Sequence, residues 1–201
     1  MISTDVLNFW FSGINDNGPI DKKDPSVKRW FVKDARFDEE IRRRFEGDLV
    51  KASRGEYRDW ETTAAGRLAL VIMLDQFSRN LYRGLPRMYA ADPAALELTR
   101  RSIKEGMDKN LFLIERVFFY MPLMHAEDAR AQEESLEYFG GLLKESHARS
   151  SQNTPYFEYT FLYAQKHYEI IARFGRFPHR NAVLNRKSTL QEIEFLKGNP
   201  L

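Results

Sequence analysis

The chain has 201 residues, with 31 lysines and arginines against 29 aspartates and glutamates, and no cysteine. That length fits one domain, residues 1–201, able to bury roughly 70% of the surface its unfolded form exposes. The missing cysteine excludes a disulfide framework, thiolate metal sites, iron–sulfur clusters and a cysteine nucleophile, and a net charge of +2 is too balanced to suggest nucleic acid as a partner.

Taken in chain order, helical periodicity dominates and β-alternation is nearly absent. Ser3 or Thr4 is expected to cap a short helix whose Val6, Leu7, Trp10 and Phe11 share a face. The opening has no basic n-region and no long apolar stretch, so no signal peptide is expected. Residues 12–29 read as a long polar loop. Asp38 is predicted to cap a helix with Ile41, Phe45 and Leu49 inward and Arg42, Arg43 and Arg44 on a solvated face, ended by Gly55.

Thr62 or Thr63 opens the next helix, which runs to Gly84. Its Leu68–Leu74 stretch is apolar all round and reads as buried, yet it is far short of a membrane span. Asp92-Pro93 signals a helix to about Gly106. The segment LFLIERVFFYM is expected to stop or kink at Pro122. Helices are then expected from about His125 to Lys144, from Thr154-Pro155 to Gly175, and from a Ser188–Gln191 capping box to Gly198. About eight helices with mostly short links predict an all-α fold of stacked antiparallel pairs in the cytoplasm.

Three polar groups interrupt this pattern. Asp75 and Arg79, and likewise Gln76 and Asn80, are four residues apart on adjacent helical stripes. They follow the most apolar run, so they must be hydrogen-bonded, either as a lock between helices or as a recognition surface. His125 and Asp128 are three apart, with Glu127 between them and Gln132 one turn on. A carboxylate beside a histidine can fix its tautomer and suit it to acid–base work, which makes His125 and Asp128 the candidate catalytic pair. The plainer reading is a mutually satisfied pair at a helix start. The third group, Arg173 through Asn181, gathers Arg173, Arg176, His179 and Arg180 without an acid. Arginine forks suit carboxylate or phosphate, though arginines also satisfy helix C-termini. His167 is placed to face the same space, and His147 reads as surface.

No phosphate-binding loop, dinucleotide fingerprint, nucleophile elbow or zinc-protease motif is present, and no cofactor is implied. A metal held by His125, Asp128, His167 and His179 requires the fold to assemble them.

The segments LALVIMLDQFSRNLYRG, YMPLMHAEDARAQE and HYEIIARFGRFPHRNAVLNRKSTLQEIEFL, with VLNFWF and WFVKDARFDEEIRRRF, together resemble the bacterial family called domain of unknown function 924. The resemblance covers nearly the whole chain and implies a tetratricopeptide-like all-α stack, with no activity attached. Its signature polar residues fall here on Asp75, Gln76, Arg79, Asn80, His125, Glu127, Asp128, Arg176, His179, Arg180 and Asn181. Ser78 stands where the family often has proline, and Asn185 where it often has glycine, a position asparagine tolerates.

Two functions follow as expectations. One is a pocket for a small anion, carboxylate or phosphate, bound by Asp75, Gln76, Arg79, Asn80, Glu127, His167, Arg176, His179, Arg180 and Asn181, with His125 and Asp128 as an acid–base pair. The other is a groove for a peptide or protein partner, flanked by exposed aromatics such as Trp30 or Trp60. A purely structural role for the polar sets is the third possibility. No membrane partner is expected.

Overall fold

The apolar run at Leu68 does what its composition demands: every residue from Gly66 to Ser78 is buried. This computed structural model describes residues 2–198. Among them the helices are α1 (Ser3–Phe11), α2 (Pro25–Lys28), α3 (Ala35–Ser53), α4 (Ala64–Val71), α5 (Ser78–Leu81), α6 (Asp92–Lys104), α7 (Leu113–His125), α8 (Ala129–Arg149), α9 (Thr154–Phe174) and α10 (Leu190–Gly198). No strand occurs among the described residues, so the fold is all-α. None of these helices is long and apolar enough to cross a membrane.

α4 and α5 are one continuous rod joined by a π-helical stretch, Ile72–Phe77, where the Ser78 N–H reaches back five residues to the Met73 carbonyl. Such widened turns concentrate at functional sites, and this one contains Asp75 and Gln76. The rod packs against α1, α3, α6 and α7. Phe9, Trp10, Phe45, Phe77 and Phe118 meet around it in tilted and edge-on pairs. The 21-residue helices α8 and α9 lie antiparallel along one another across the short link at Ser150–Asn153.

Helix ends show where local signals and tertiary demands diverge. Thr63 caps α4, Gly175 ends α9 in the left-handed region at φ 68°, and Asn185 also adopts a positive φ of 53°. The cap of α3 is Asp34, one turn before the expected Asp38, because Asp38 is drawn away to Arg83 and Asn80. The last helix is capped by Thr189 with Glu192, one residue after the expected box. Ser3 belongs to α1 itself, and Asp5 reaches back to the Ile2 N–H.

Two further expectations are corrected. α7 does not stop at Pro122 but runs through it to His125. The missing N–H falls in the last turn of a helix with ten buried side chains, and that burial outweighs the loss of one ladder bond. The next helix starts at Ala129, since Ala126 turns extended (φ −75°, ψ 136°) and Asp128 caps α8 through the Ala131 N–H. His125 therefore ends a helix and does not begin one.

The polar stretch from residue 12 is pinned at several points. Asn153 accepts the Ile20 N–H at 2.7 Å and donates to the Gly18 carbonyl at 2.9 Å. Asp16 accepts the N–H groups of Leu113 and Ile114, capping α7 from nearly one hundred residues away. Replacing a capping carboxylate by alanine costs about 0.5–2 kcal/mol. Asp16→Ala is expected to lower the free energy of unfolding in urea by that amount, and an unchanged midpoint would contradict the capping role.

Candidate functional site

Asp75 is wholly buried, so its ionised form needs partners. It has them on every side. Arg79, one turn on, brings Nη1 to 3.0 Å from Oδ1. Gln76 Nε2 donates to Oδ2 at 2.6 Å and lies 3.1 Å from the Met121 sulfur. His125 Nδ1, from the end of α7, sits 2.8 and 3.0 Å from the two oxygens. Burial opposes ionisation of Asp75, but Arg79 and His125 outweigh it and hold the carboxyl below the usual carboxylate range.

Arg79 also grips Asp92, at the first position of α6, through two bonds of 2.9 Å. Arg180 lies 3.5 Å from the same carboxylate and donates to the His125 carbonyl at 2.8 Å. Its guanidinium lies 4.5 Å from the ring centroids of both Tyr89 and Phe177. Burial pushes Asp92 up, Arg79 pulls it down, and the nearby Asp75 charge adds to the rise. The bidentate Arg79 contact opposes that rise and favours the ionised form. Asp75, Arg79, Asp92 and Arg180 thus form a chain of alternating acids and arginines tying the rod, α6, α7 and the 178–180 turn together.

A cavity of about 600 Å³ opens beside this chain. Its charged and imidazole lining comprises Arg29, Arg79, Arg83, Arg180, His125, His167 and His179, and no carboxylate. The remaining wall is mainly apolar or aromatic, with Trp30, Phe31, Met88, Met121, Met124 and Phe139 among its members. Arg83 is paired with Asp38. Arg29 has no ion-pair partner among the described residues, and its guanidinium is held by the Phe9 and Trp10 carbonyls and the Ser12 hydroxyl. Of the four guanidiniums around the cavity, Arg79, Arg83 and Arg180 are thus paired with Asp38, Asp75 and Asp92, and Arg29 is the one outside any ion pair among the described residues.

The histidines add no positive charge. Burial is the largest effect on each: it pushes His125 below its ordinary value against the pull of Asp75, and takes His167 to about 3 and His179 to about 4. With Asp75 ionised, His125 donates from Nδ1, which leaves Nε2 as an acceptor. His167 Nδ1 donates to the Tyr163 carbonyl at 2.8 Å, and its Nε2 is likewise an acceptor.

Of the residues singled out in the sequence, Gln76, Arg79, Asn80, His125, His167, His179 and Arg180 line one cavity, with Asp75 directly behind. The expected His125–Asp128 contact is not formed. Asp128 is half exposed, capping α8 and pairing with Arg100 at 3.2 Å, and Asp75 takes its place beside His125. Glu127 pairs with Arg186 and accepts the Phe177 N–H at 2.7 Å. Arg176 pairs with Glu192, and Asn181 bonds Ser188 and Arg186. These three fasten the C-terminal segment to the core and do not line the cavity. Gln132 spends its amide on the carbonyls at the end of α7. Among the described residues no cluster of three or more histidines, aspartates or glutamates is arranged to hold a metal ion.

Arg29, Asp92, Tyr89 and Tyr163 escaped the sequence reading. Asp92 was hidden by its Asp-Pro helix-start signal, which is real. Arg29 lies in a stretch whose turn formers drown any periodicity.

A family model for bacterial proteins of unknown function, domain 924, matches residues 6–199. The chain belongs to that family. A solved structure described as a protein of unknown function, ATU0120 from Agrobacterium tumefaciens, is similar at 35% identity and a TM-score of 0.79, covering 98% of this chain and 97% of that one. No curated protein matches the family member described here.

Protonation of the buried imidazoles has a definite sign. Both His167 and His179 bind protons less readily in the folded chain than their ordinary value of 6.5 allows. The unfolded chain therefore takes up protons first, and stability rises with pH across that window. Their contribution is complete above about pH 6.5 and is lost as pH falls toward 4 and then 3. Urea unfolding between pH 7 and 5 is expected to show falling stability, with a shallower fall in His167→Gln. Equal slopes for the two proteins would contradict a buried neutral His167.

Proposed function

We propose that this protein binds a small anionic metabolite in the cavity beside Asp75. The observation that carries the reading is the lining: four arginines, three imidazoles and no carboxylate, with Arg29 outside any ion pair among the described residues. A volume of about 600 Å³ lies within the span typical of small-molecule sites. The charged groups are prearranged, because Asp75 and Asp92 fix Arg79 and Arg180 before any ligand arrives, which reduces the ordering cost of binding.

His125 is the group suited to proton transfer. Asp75 orients it in the way a carboxylate orients a catalytic imidazole, and its Nε2 is the free acceptor. Acid–base chemistry on the bound anion belongs to the proposal through His125 with Asp75, not with Asp128.

The peptide-groove alternative draws less support. Trp30 is only 7% exposed and donates its indole N–H to the Trp10 carbonyl, and Trp60 is stacked on Tyr57. Neither offers the exposed anchor that a groove needs.

A ligand present at one hundred times its dissociation constant stabilises by about 2.7 kcal/mol, roughly 5–10 °C in Tm for a chain this size. Thermal unfolding with a panel of carboxylates and phosphates is expected to show such a rise for at least one anion. The rise should be lost in Arg180→Gln and kept in Arg176→Ala, whose side chain faces Glu192 and not the cavity. No rise with any anion, or equal rises in wild type and Arg180→Gln, would contradict the proposal.

A further inference from the structure

Three hydrogen-bond acceptors in the cavity narrow the chemistry of its occupant. An ionised carboxylate accepts and never donates, so the buried Asp75 dictates how its neighbours turn. Gln76 gives Asp75 the Nε2 end of its amide at 2.6 Å, and its Oε1 is left over. His125 gives Nδ1, and its Nε2 is left over as the lone-pair nitrogen. His167 reaches the same state by another route, since the Tyr163 carbonyl one turn back takes its Nδ1–H at 2.8 Å. All three side chains line the cavity.

These atoms are open as well as unpaired. Among the described residues none of the three has a hydrogen-bond partner, and none belongs to the polar atoms sealed from solvent without one. The unpaired Nε atoms of Arg29 and Arg180, in contrast, are sealed off. The acceptors are also close together. Gln76 and His125 share one carboxylate, and the His125 and His167 ring centroids are 6.2 Å apart. A donor atom at ordinary hydrogen-bond distance from an Nε2 lies roughly 4 Å from that ring's centroid, so one donor group can reach both imidazoles.

Ionised carboxylate and phosphate oxygens only accept, and these three atoms repel them alike; hydroxyl and amino hydrogens are attracted. The negative group of a ligand therefore belongs with the arginines, and another part of the molecule must meet Gln76, His125 and His167. Resting on the reading of the cavity as an anion site, we infer that its ligand carries a hydroxyl or amino group besides its negative charge, and that Gln76, His125 and His167 select it by accepting that group's hydrogens. A site built this way discriminates against the analogue that lacks the donor, because its acceptors then stay desolvated and unpaired. The hydrogen given to His125 Nε2 is the proton that the proposed acid–base step would move from ligand to imidazole.

Isothermal titration of the intact protein tests this with butanoate against its monohydroxy and monoamino derivatives at each carbon, and with propyl phosphate against glycerol phosphate. At least one hydroxy or amino derivative is expected to bind about tenfold tighter than its parent anion. Its O-methyl or N-trimethyl counterpart, which lacks the hydrogen, should lose that gain. The arm that gains, hydroxy or amino, names the donor. His167→Phe keeps a flat ring without the acceptor and should cut the ratio of derivative to parent affinity by threefold or more. In the unmutated protein, the ¹⁵N resonances of His125 and His167 Nε2 should move when the derivative binds and stay when the parent binds. Equal affinity of parents and derivatives, methylated forms that bind as well, a ratio untouched by His167→Phe, or unmoved Nε2 resonances overturns the donor inference and leaves the anion site standing. Butanol binding as well as the hydroxy acid, or no binding by any member of the series, overturns both.

Discussion

A carboxylate sealed from water must be answered by the protein or it will not stay charged, and Asp75 sets that demand at the centre of this fold. The answer comes from Gln76 and Arg79 on its own helix and from His125 on α7. Arg79 in turn needs Asp92 from α6, and Asp92 receives Arg180 from the segment after α9. Buried ion pairs gain little over apolar packing, because desolvation offsets the attraction. Removing one partner would leave a buried charge unanswered, so the chain of four couples the rod, α6, α7 and the segment after α9 to one another.

The cavity follows from the same constraint. The π-helical turn at Ile72–Phe77 carries Asp75 and Gln76, while α7 ends at His125 because Ala126 turns extended. A straight rod or a longer α7 would present different side chains at this point. Burial then keeps the imidazoles neutral, so positive charge around the cavity comes from arginine alone. Ion-paired arginines and a predominantly apolar wall line the same site.

Much of this was legible in the sequence, and the failures share a cause. The all-helical pattern, the buried run at Leu68, the helix from Thr154 to Gly175 and the left-handed Asn185 all rest on local rules that tertiary packing did not disturb. Asp38, Asp92 and Asp128 are different. Each is an acid near a helix start, where a local rule predicts a cap, yet only Asp128 caps. Asp38 and Asp92 meet arginines from elsewhere in the chain. Spacing showed that Asp128 was near His125 in sequence, but not that one extended residue separates their helices. The true partner, Asp75, is fifty positions away, and no periodicity encodes that pairing. The run from Arg176 to Asn181 divides for a similar reason: His179 and Arg180 turn inward, while Arg176 and Asn181 are held by Glu192, Ser188 and Arg186.

The charge state of Asp75 can be read from its side-chain carboxyl carbon by ¹³C NMR during an acid titration of the folded protein. The resonance should remain at the ionised position down to the lowest pH at which the protein stays folded. A midpoint at or above the ordinary aspartate value near 3.9 would mean that Asp75 is not held by Arg79 and His125, and that the site is organised by something else.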